Sequence, residues 1–308
     1  MNIFYINSAF DFFNMVHNEC QLRIESGERA YLQYYRGQAN DSWGLKPSIC
    51  RESCNLTGSF EKMIIQEFIS RRPDDFLGIS NKFNFVAKMQ HYGLVTRLLD
   101  FTSNPAIALY FACCNSLDQD GEIFTFNTSR DDILMPKEAD LIMDFYIEEC
   151  NLEEYYNKCK PKYNEDVIKK VFYFIISNTM QIVLTDLISK RMVNQQSAFA
   201  IVPFESKNET FEKCKDMNNE GLCEHISKNG LDKVLNSTKV INNISDHKSD
   251  IIEYHQDEKR YIIKSDSKKN ILRQLDKIGI NESLIYPELY YEGKSIIEKY
   301  LYLTRQSE

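Results

Sequence analysis

Thr96-Arg97-Leu98-Leu99-Asp100-Phe101-Thr102-Ser103-Asn104-Pro105, with the apolar run 106–114 behind it, is the stretch on which the fold reading turns. Asn104 or Ser103 suits the N-cap and Pro105 the first helical position, where a missing N–H is no loss. The residues that follow are apolar on every side, so the helix they form is buried. Capping uses one of Thr102, Ser103 and Asn104. Three polar residues together with Arg97 exceed what a cap requires, and the unpartnered first amides of a helix, aligned with its dipole, favour an anion. A phosphate site at this helix start is therefore expected. Residues 96–100 are too few to be more than a strand or a loop.

Upstream, residues 9–24 place Phe10, Phe13, Val16 and His17 on one face of an amphipathic helix that Gly27 ends. The aromatic segment 30–35 reads as a strand running into a turn at Arg36-Gly37. An irregular piece with Trp43 and Lys46-Pro47-Ser48 leads to helices over about 59–70, stopped by Pro73, and 82–89, where Gly93 suits a left-handed terminator. Downstream, 121–127 and 198–204 alternate like strands around a mostly helical block, 138–190, with an acidic, tyrosine-rich face. Within that block the uncharged run 171–185 falls short of the roughly 20 residues of a membrane span and reads as a buried helix. Residues 205–260 turn polar and suggest surface helices and loops, a strand follows at 261–264, and a closing helix begins near Lys268.

The chain has 308 residues, 43% of them hydrophobic, with 18 Tyr and 19 Phe, enough for a substantial core. A net charge of -8 argues against a surface that coats a nucleic-acid backbone, while leaving room for a local basic pocket. The first residues lack a basic n-region, an apolar h-region and a cleavage site, so a reducing cytoplasm is expected and the nine cysteines are read as thiols. Cys50 with Cys54, and Cys214 with Cys223 and His225, are poorly spaced for a metal, and no metal is expected.

Three polar clusters stand beside these apolar elements. In Tyr35-Arg36-Gly37-Gln38 the arginine offers a planar fork to phosphate or carboxylate and the glycine admits a ligand to the backbone; the structural alternative pairs Arg36 with a core-edge carboxylate such as Asp100. Gln90-His91-Tyr92-Gly93 adds an imidazole able to move a proton near neutral pH, or to serve as a satisfied structural group. Arg191 precedes Gln195-Gln196, of which one amide is expected to face a pocket and the other a strand-edge neighbour. No GxxxxGK[ST], GxGxxG, GxSxG or HExxH pattern is present.

Taken in order, these clusters, Leu45-Lys46-Pro47-Ser48 with Arg51, and the Ala108-Leu109-Tyr110-Phe111-Ala112 helix look like the FRG domain of bacterial proteins. The tail, Lys269-Asn270-Ile271-Leu272 through Leu284-Ile285-Tyr286-Pro287, resembles the family's end. The resemblance runs from about residue 4 to 303 and is least at 131–170 and 206–259, read as insertions in a single domain spanning 1–308. Tyr35 stands where the family has Phe, and Ser197 where Gly often follows the paired glutamines. Such proteins are often found near bacterial defence or toxin genes.

A weaker resemblance is to ADP-ribosyltransferases. Arg36-Gly37, Phe101-Thr102-Ser103 and Gln195-Gln196 follow the order of that family's three NAD-binding strand ends, without its catalytic Glu. The resemblance implies an α+β domain with a small mixed or split sheet wrapped by helices, and NAD or a related nucleotide as cofactor. It implies Arg36, His91 and Gln196 as catalytic residues, with Glu61 an alternative assistant to His91. Arg36 would grip a phosphate or ribose, Thr102 and Ser103 would support the nicotinamide ribose, and Tyr35 or Tyr92 would stack on a ring. Gly37, Gln38, Arg97, Asn104 and Gln195 complete the expected binding set. The expected function is an ADP-ribosyltransferase-like effector in anti-phage defence or toxin action, with a protein target or phage component as partner. The alternative is a non-catalytic module sensing a nucleotide or protein motif.

Overall fold

A computed structural model describes residues 2–26, 32–50, 58–79, 81–130, 132–148, 152–177, 180–184, 186, 189–202 and 259–287. Strand β1 (Asn2–Ile6) leads into helix α1 (Ala9–Ser26), and β2 (Leu32–Gln38) is followed by α2 (Gly58–Arg71) and α3 (Lys82–His91). Next come β3 (Leu98–Thr102), α4 (Pro105–Cys113) and β4 (Gly121–Thr128), then α5 (Pro136–Glu148), α6 (Leu152–Cys159) and α7 (Glu165–Ser177). The order closes with β5 (Gln181–Val183), α8 (Lys190–Asn194), β6 (Ser197–Ile201), β7 (Lys259–Ile263), α9 (Ser265–Lys277) and α10 (Glu282–Ile285). Seven strands form one mixed sheet in the order β1-β7-β4-β2-β3-β6-β5, with β1 parallel to β7 and the other pairs antiparallel.

Helix α4 sits where the sequence places it. Asn104 is the cap, its Oδ1 accepting the Ala106 N–H at 2.9 Å, and Pro105 opens the first turn. The helix is buried from Ala106 through Tyr110 and again at Ala112 and Cys113, because it lies flat on β2. That contact needs Gly37: a Cβ there would meet the Ala108 carbonyl oxygen at 1.8 Å. Gly121 on β4 gives the same clearance, a Cβ meeting the Ala112 oxygen at 2.3 Å. Gly37 therefore makes room for the backbone of α4.

Apolar residues fill both sides of the sheet. Tyr35, Ile107, Ile123, Ile263 and Ile271 pack with Phe12 of α1, and Phe83, Phe145, Tyr155 and Phe172 join α3, α5, α6 and α7. Lys268 on α9 is fully buried yet satisfied, donating to the carbonyls of Ala39 at 2.6 Å, Ser116 at 3.0 Å and Asn115 at 3.3 Å. It ties the exits of β2 and α4 to α9. Glu122, 2% exposed, is held by Arg260 through a two-point pair of 2.6 and 2.9 Å.

Several sequence expectations are corrected. Residues 2–6, unassigned in the sequence, form an edge strand whose ladder partner, β7, lies 257 positions away (Asn2↔Lys259). On α1 the buried face is set by Ala9 and Phe12, while Phe10 is 74% exposed and His17 also faces solvent. Strand β2 continues through Arg36-Gly37 to Gln38 instead of turning there, since its ladder with β4 extends to Gln38↔Glu122. The run 171–185 is not one helix: α7 ends at Ser177, and Gln181–Val183 pairs with Phe199–Ile201 as the other sheet edge. Gly27, Arg51, Cys54, Cys214, Cys223, His225 and the segment 206–258 lie outside the described residues, as does the side chain of Glu61. Among the described residues no helix is long and apolar enough to cross a membrane.

Candidate ligand-binding site

The sheet opens between two of its central strands. β2 and β3 share the registered pair Tyr35↔Thr102, whereas β3 and β6 stay paired along five residues, from Leu98↔Ile201 to Thr102↔Ser197. Tyr35, Thr102 and Ser197 thus form a row across three strands, and beyond it β2 parts from β3. Arg36 spans the gap, donating from Nη1 to the main-chain oxygen of Asp100 at 2.7 Å. The carbonyl that a continuous ladder would use is satisfied by a guanidinium instead.

Over this gap lies a cavity of about 200 Å³. Its floor carries Arg36, Gly37, Asp100 and Thr102, and α3 adds Gln90 and His91. From α4 comes Phe111, and α8 with the turn after it supplies Arg191 and Gln195. Among the described lining residues are two guanidiniums, one imidazole and one carboxylate, so the wall is built for an anion with polar attachments. Among the described residues no group of three His, Cys, Asp or Glu converges on a metal position.

The polar walls are braced from behind. Gln90 Nε2 donates to Asp100 Oδ1 at 2.7 Å, and Gln90 Oε1 accepts from the Thr96 hydroxyl. Thr96 is in turn fixed by Ser48, whose Oγ accepts the Thr96 N–H at 2.9 Å, which gives Ser48 of the Lys46-Pro47-Ser48 piece a structural task. Thr102 donates from Oγ1 to the Gln195 carbonyl at 2.7 Å and accepts the Asn104 N–H at 3.0 Å. On the far side Asn194 and Gln195 donate to the carbonyls of Leu284 and Ile285 at 2.8 and 3.1 Å, and the Arg191 guanidinium lies 4.6 Å from the Tyr286 ring centre. The Leu284-Ile285-Tyr286 tail therefore holds α8 against the cavity.

Of the residues expected from sequence, Tyr35, Arg36, Gly37, His91, Thr102 and Gln195 come together here. Tyr35 belongs mostly to the core. Its ring meets Phe12 edge-on, its hydroxyl donates to Gln33 at 2.5 Å, and burial, reinforced by the nearby Cys20 and Glu19, pushes its pKa up. The remaining six stand elsewhere. Gln38 is buried, with Nε2 on the Gly44 carbonyl at 2.8 Å. Tyr92 is 61% exposed beside the His91 ring. Arg97 is buried with its guanidinium 3.8 Å from the centre of the Tyr146 ring. A five-residue strand is about 16 Å long, so Arg97 and the α4 start lie at opposite ends of β3.

Ser103 and Asn104 serve the helix start itself. Asn104 accepts the N–H groups of Ala106, Ile107 and Ala108 through its side chain and main chain, which leaves no open amide cradle for a phosphate. Gln196 adopts a left-handed φ of 45° and is exposed; its carbonyl accepts the Ser103 N–H at 3.2 Å. Gln195 lines the cavity, and Gln196 meets Ser103 just beyond β3. Sequence reasoning left Gln90, Asp100, Phe111 and Arg191 out of the site. Gln90, Asp100 and Arg191 were visible inside the polar clusters, but their convergence depends on the gap between β2 and β3.

These features define a mixed α/β protein with an anion-suited cavity where two central strands part. Residues 32–121 match the family model of the FRG domain, and the chain carries an FRG domain there. The match runs from the first residue of β2 to the first of β4 and contains the cavity's floor with its α3 and α4 walls, while Arg191 and Gln195 lie beyond it. No curated protein and no solved structure matches the chain.

Proposed function

We propose that this chain is an ADP-ribosyltransferase-like effector that binds NAD or a related nucleotide in the cavity and acts on a protein target, or consumes the cofactor, in anti-phage defence or as a toxin. The observation that carries this reading is the convergence of Arg36, Thr102 and Gln195 on one cavity from β2, β3 and the turn into β6. Arg36 and Arg191 supply planar donors for a diphosphate. His91 stands at the same wall, within the pocket, as the group able to move a proton near neutral pH. NAD would supply the activated bond between ribose and nicotinamide; the protein would supply binding, orientation and charge. The whole chain acts in this reading as one cytoplasmic FRG unit, with 131–170 and 206–259 as insertions.

A second reading, a module that senses a nucleotide or protein motif without catalysis, is favoured by one specific observation. No glutamate is among the described lining residues, and the Gln195 amide is engaged by the Ile285 carbonyl. Incubation of the purified chain with labelled NAD and a cell lysate separates the two. Release of nicotinamide or ADP-ribose on a lysate protein, abolished by Arg36→Ala, supports the transferase. NAD binding with neither product favours the sensor, and an Arg36→Ala variant that binds NAD like the wild type would show the cavity to be misassigned.

A further inference from the structure

Asp100 is the one exposed residue of β3, and it stands at the cavity where β2 parts from β3. Its carboxylate lines the cavity and accepts one hydrogen bond, from Gln90 Nε2 to Oδ1 at 2.7 Å, and among the described residues it takes part in no ion pair. Arg36, the cation across the gap, donates from Nη1 to the main-chain oxygen of Asp100. Gln90 is itself held by the Thr96 hydroxyl, and Thr96 by Ser48, so the carboxylate is aimed by a chain of bonds from three segments. An ionised carboxylate only accepts hydrogen bonds. An exposed carboxylate held in one orientation at a cavity wall is suited to donors on a ligand.

We propose that Asp100 is the specificity-determining residue of the cavity, selecting ligands that carry hydroxyl donors beside their phosphate: a ribosyl phosphate or diphosphate over a bare phosphoanion. This rests on the nucleotide reading above and names the part of the nucleotide that enters. The cavity of about 200 Å³ is smaller than the roughly 300–1,000 Å³ of sites that engulf a drug-sized ligand, so it takes one sugar-phosphate end. The guanidiniums of Arg36 and Arg191 receive the anion and Asp100 receives the sugar hydroxyls.

Calorimetric titration of the full chain with ADP-ribose and with inorganic pyrophosphate tests this. The wild type is expected to bind ADP-ribose more tightly. Asp100→Asn, which keeps the shape and removes the charge, is expected to weaken ADP-ribose about tenfold or more while leaving pyrophosphate unchanged or tighter, because a negative charge has left an anion site. Asp100→Ser repeats the comparison should the first variant melt well below the wild type. Retained ADP-ribose affinity in the folded variant, or a parallel loss of both probes, overturns the assignment of Asp100 while the nucleotide reading stands. A wild type that binds pyrophosphate as tightly as ADP-ribose overturns the selectivity as well. If the wild type binds neither ADP-ribose nor NAD, the nucleotide reading itself falls and takes the inference with it.

Discussion

Replacing Gly37 by alanine adds one methyl group at the tightest of the described glycine positions. That carbon would stand 1.8 Å from the Ala108 carbonyl oxygen and 2.8 Å from the Ala112 nitrogen, both main-chain atoms of α4. Ordinary contact begins at 3.4 Å, so the helix must retreat by about 1.6 Å. Side-chain rearrangement cannot relieve the overlap, because the clashing atoms are backbone. A retreat would also unseat Ile107, Ala108, Leu109 and Ala112, all fully buried on α4. Overpacking costs about 1–3 kcal/mol where neighbours can adjust, and here the expected loss is at or above the top of that range, about 3 kcal/mol or more. Against a typical total of roughly 5–15 kcal/mol this is a large fraction, corresponding to a melting temperature lower by about 6–12 °C. Thermal and urea unfolding followed by circular dichroism measure it. Gly78→Ala is the control: with φ +81° and nothing within 4 Å of the added carbon, it pays only for backbone conformation, about 1 kcal/mol. A Gly37→Ala protein within about 1 kcal/mol of wild type would refute the account of Gly37 as the seat of α4.

Three further outcomes are expected. Asn104→Ala removes the α4 cap and should cost about 1 kcal/mol in urea unfolding, with the helix otherwise intact. Asp120 accepts from Lys264 and from the Ser265 N–H at the start of α9, and the Lys264 bond above all holds its carboxyl below the usual carboxylate range. The folded state thus binds this proton less readily than the unfolded chain, so the contribution is present above the ordinary carboxylate pKa and fades as pH falls through the depressed one. Asp120→Asn should be less stable than wild type at neutral pH and equal to it in acid; a gap that persists in acid contradicts this. Burial raises the thiol of Cys113 to about 12 and that of Cys114 to about 11, while Cys20 is exposed. Iodoacetamide at pH 8, followed by peptide mass spectrometry, should modify Cys20 well before either residue of α4's end.

Much of the local structure was legible in the chain. Asn104-Pro105 before an apolar run marks the start of α4 because capping and a fixed φ are properties of those residues themselves. Gly93, at φ +90°, ends α3 for an equally local reason. Apolar residues at helical spacing located α2, and strand-like patterning located β4 and β6. The short pieces were harder. β1 has five residues and β5 three, and each is a strand because of the partner it meets at Lys259–Ile263 or Phe199–Ile201, far along the chain or across a helix.

The candidate site divides along the same line. Residue chemistry alone marks the groups able to serve: an arginine beside a glycine, a histidine, a pair of amides, a helix start rich in hydroxyls. Which of them meet depends on how the chain packs. The residue type of Gly37 suggests clearance for a ligand, and the crossing of α4 adds a packing requirement that no local pattern announces. Strand length carries Arg97 to the end of β3 opposite Thr102 and under Tyr146. The divergence of β2 from β3 turns Asp100 from a mid-strand carboxylate into part of a cavity wall that Arg191, 91 positions later in the chain, also lines. Contacts of that range depend on how strands are ordered in the sheet, and strand order is not written in any local pattern of residues.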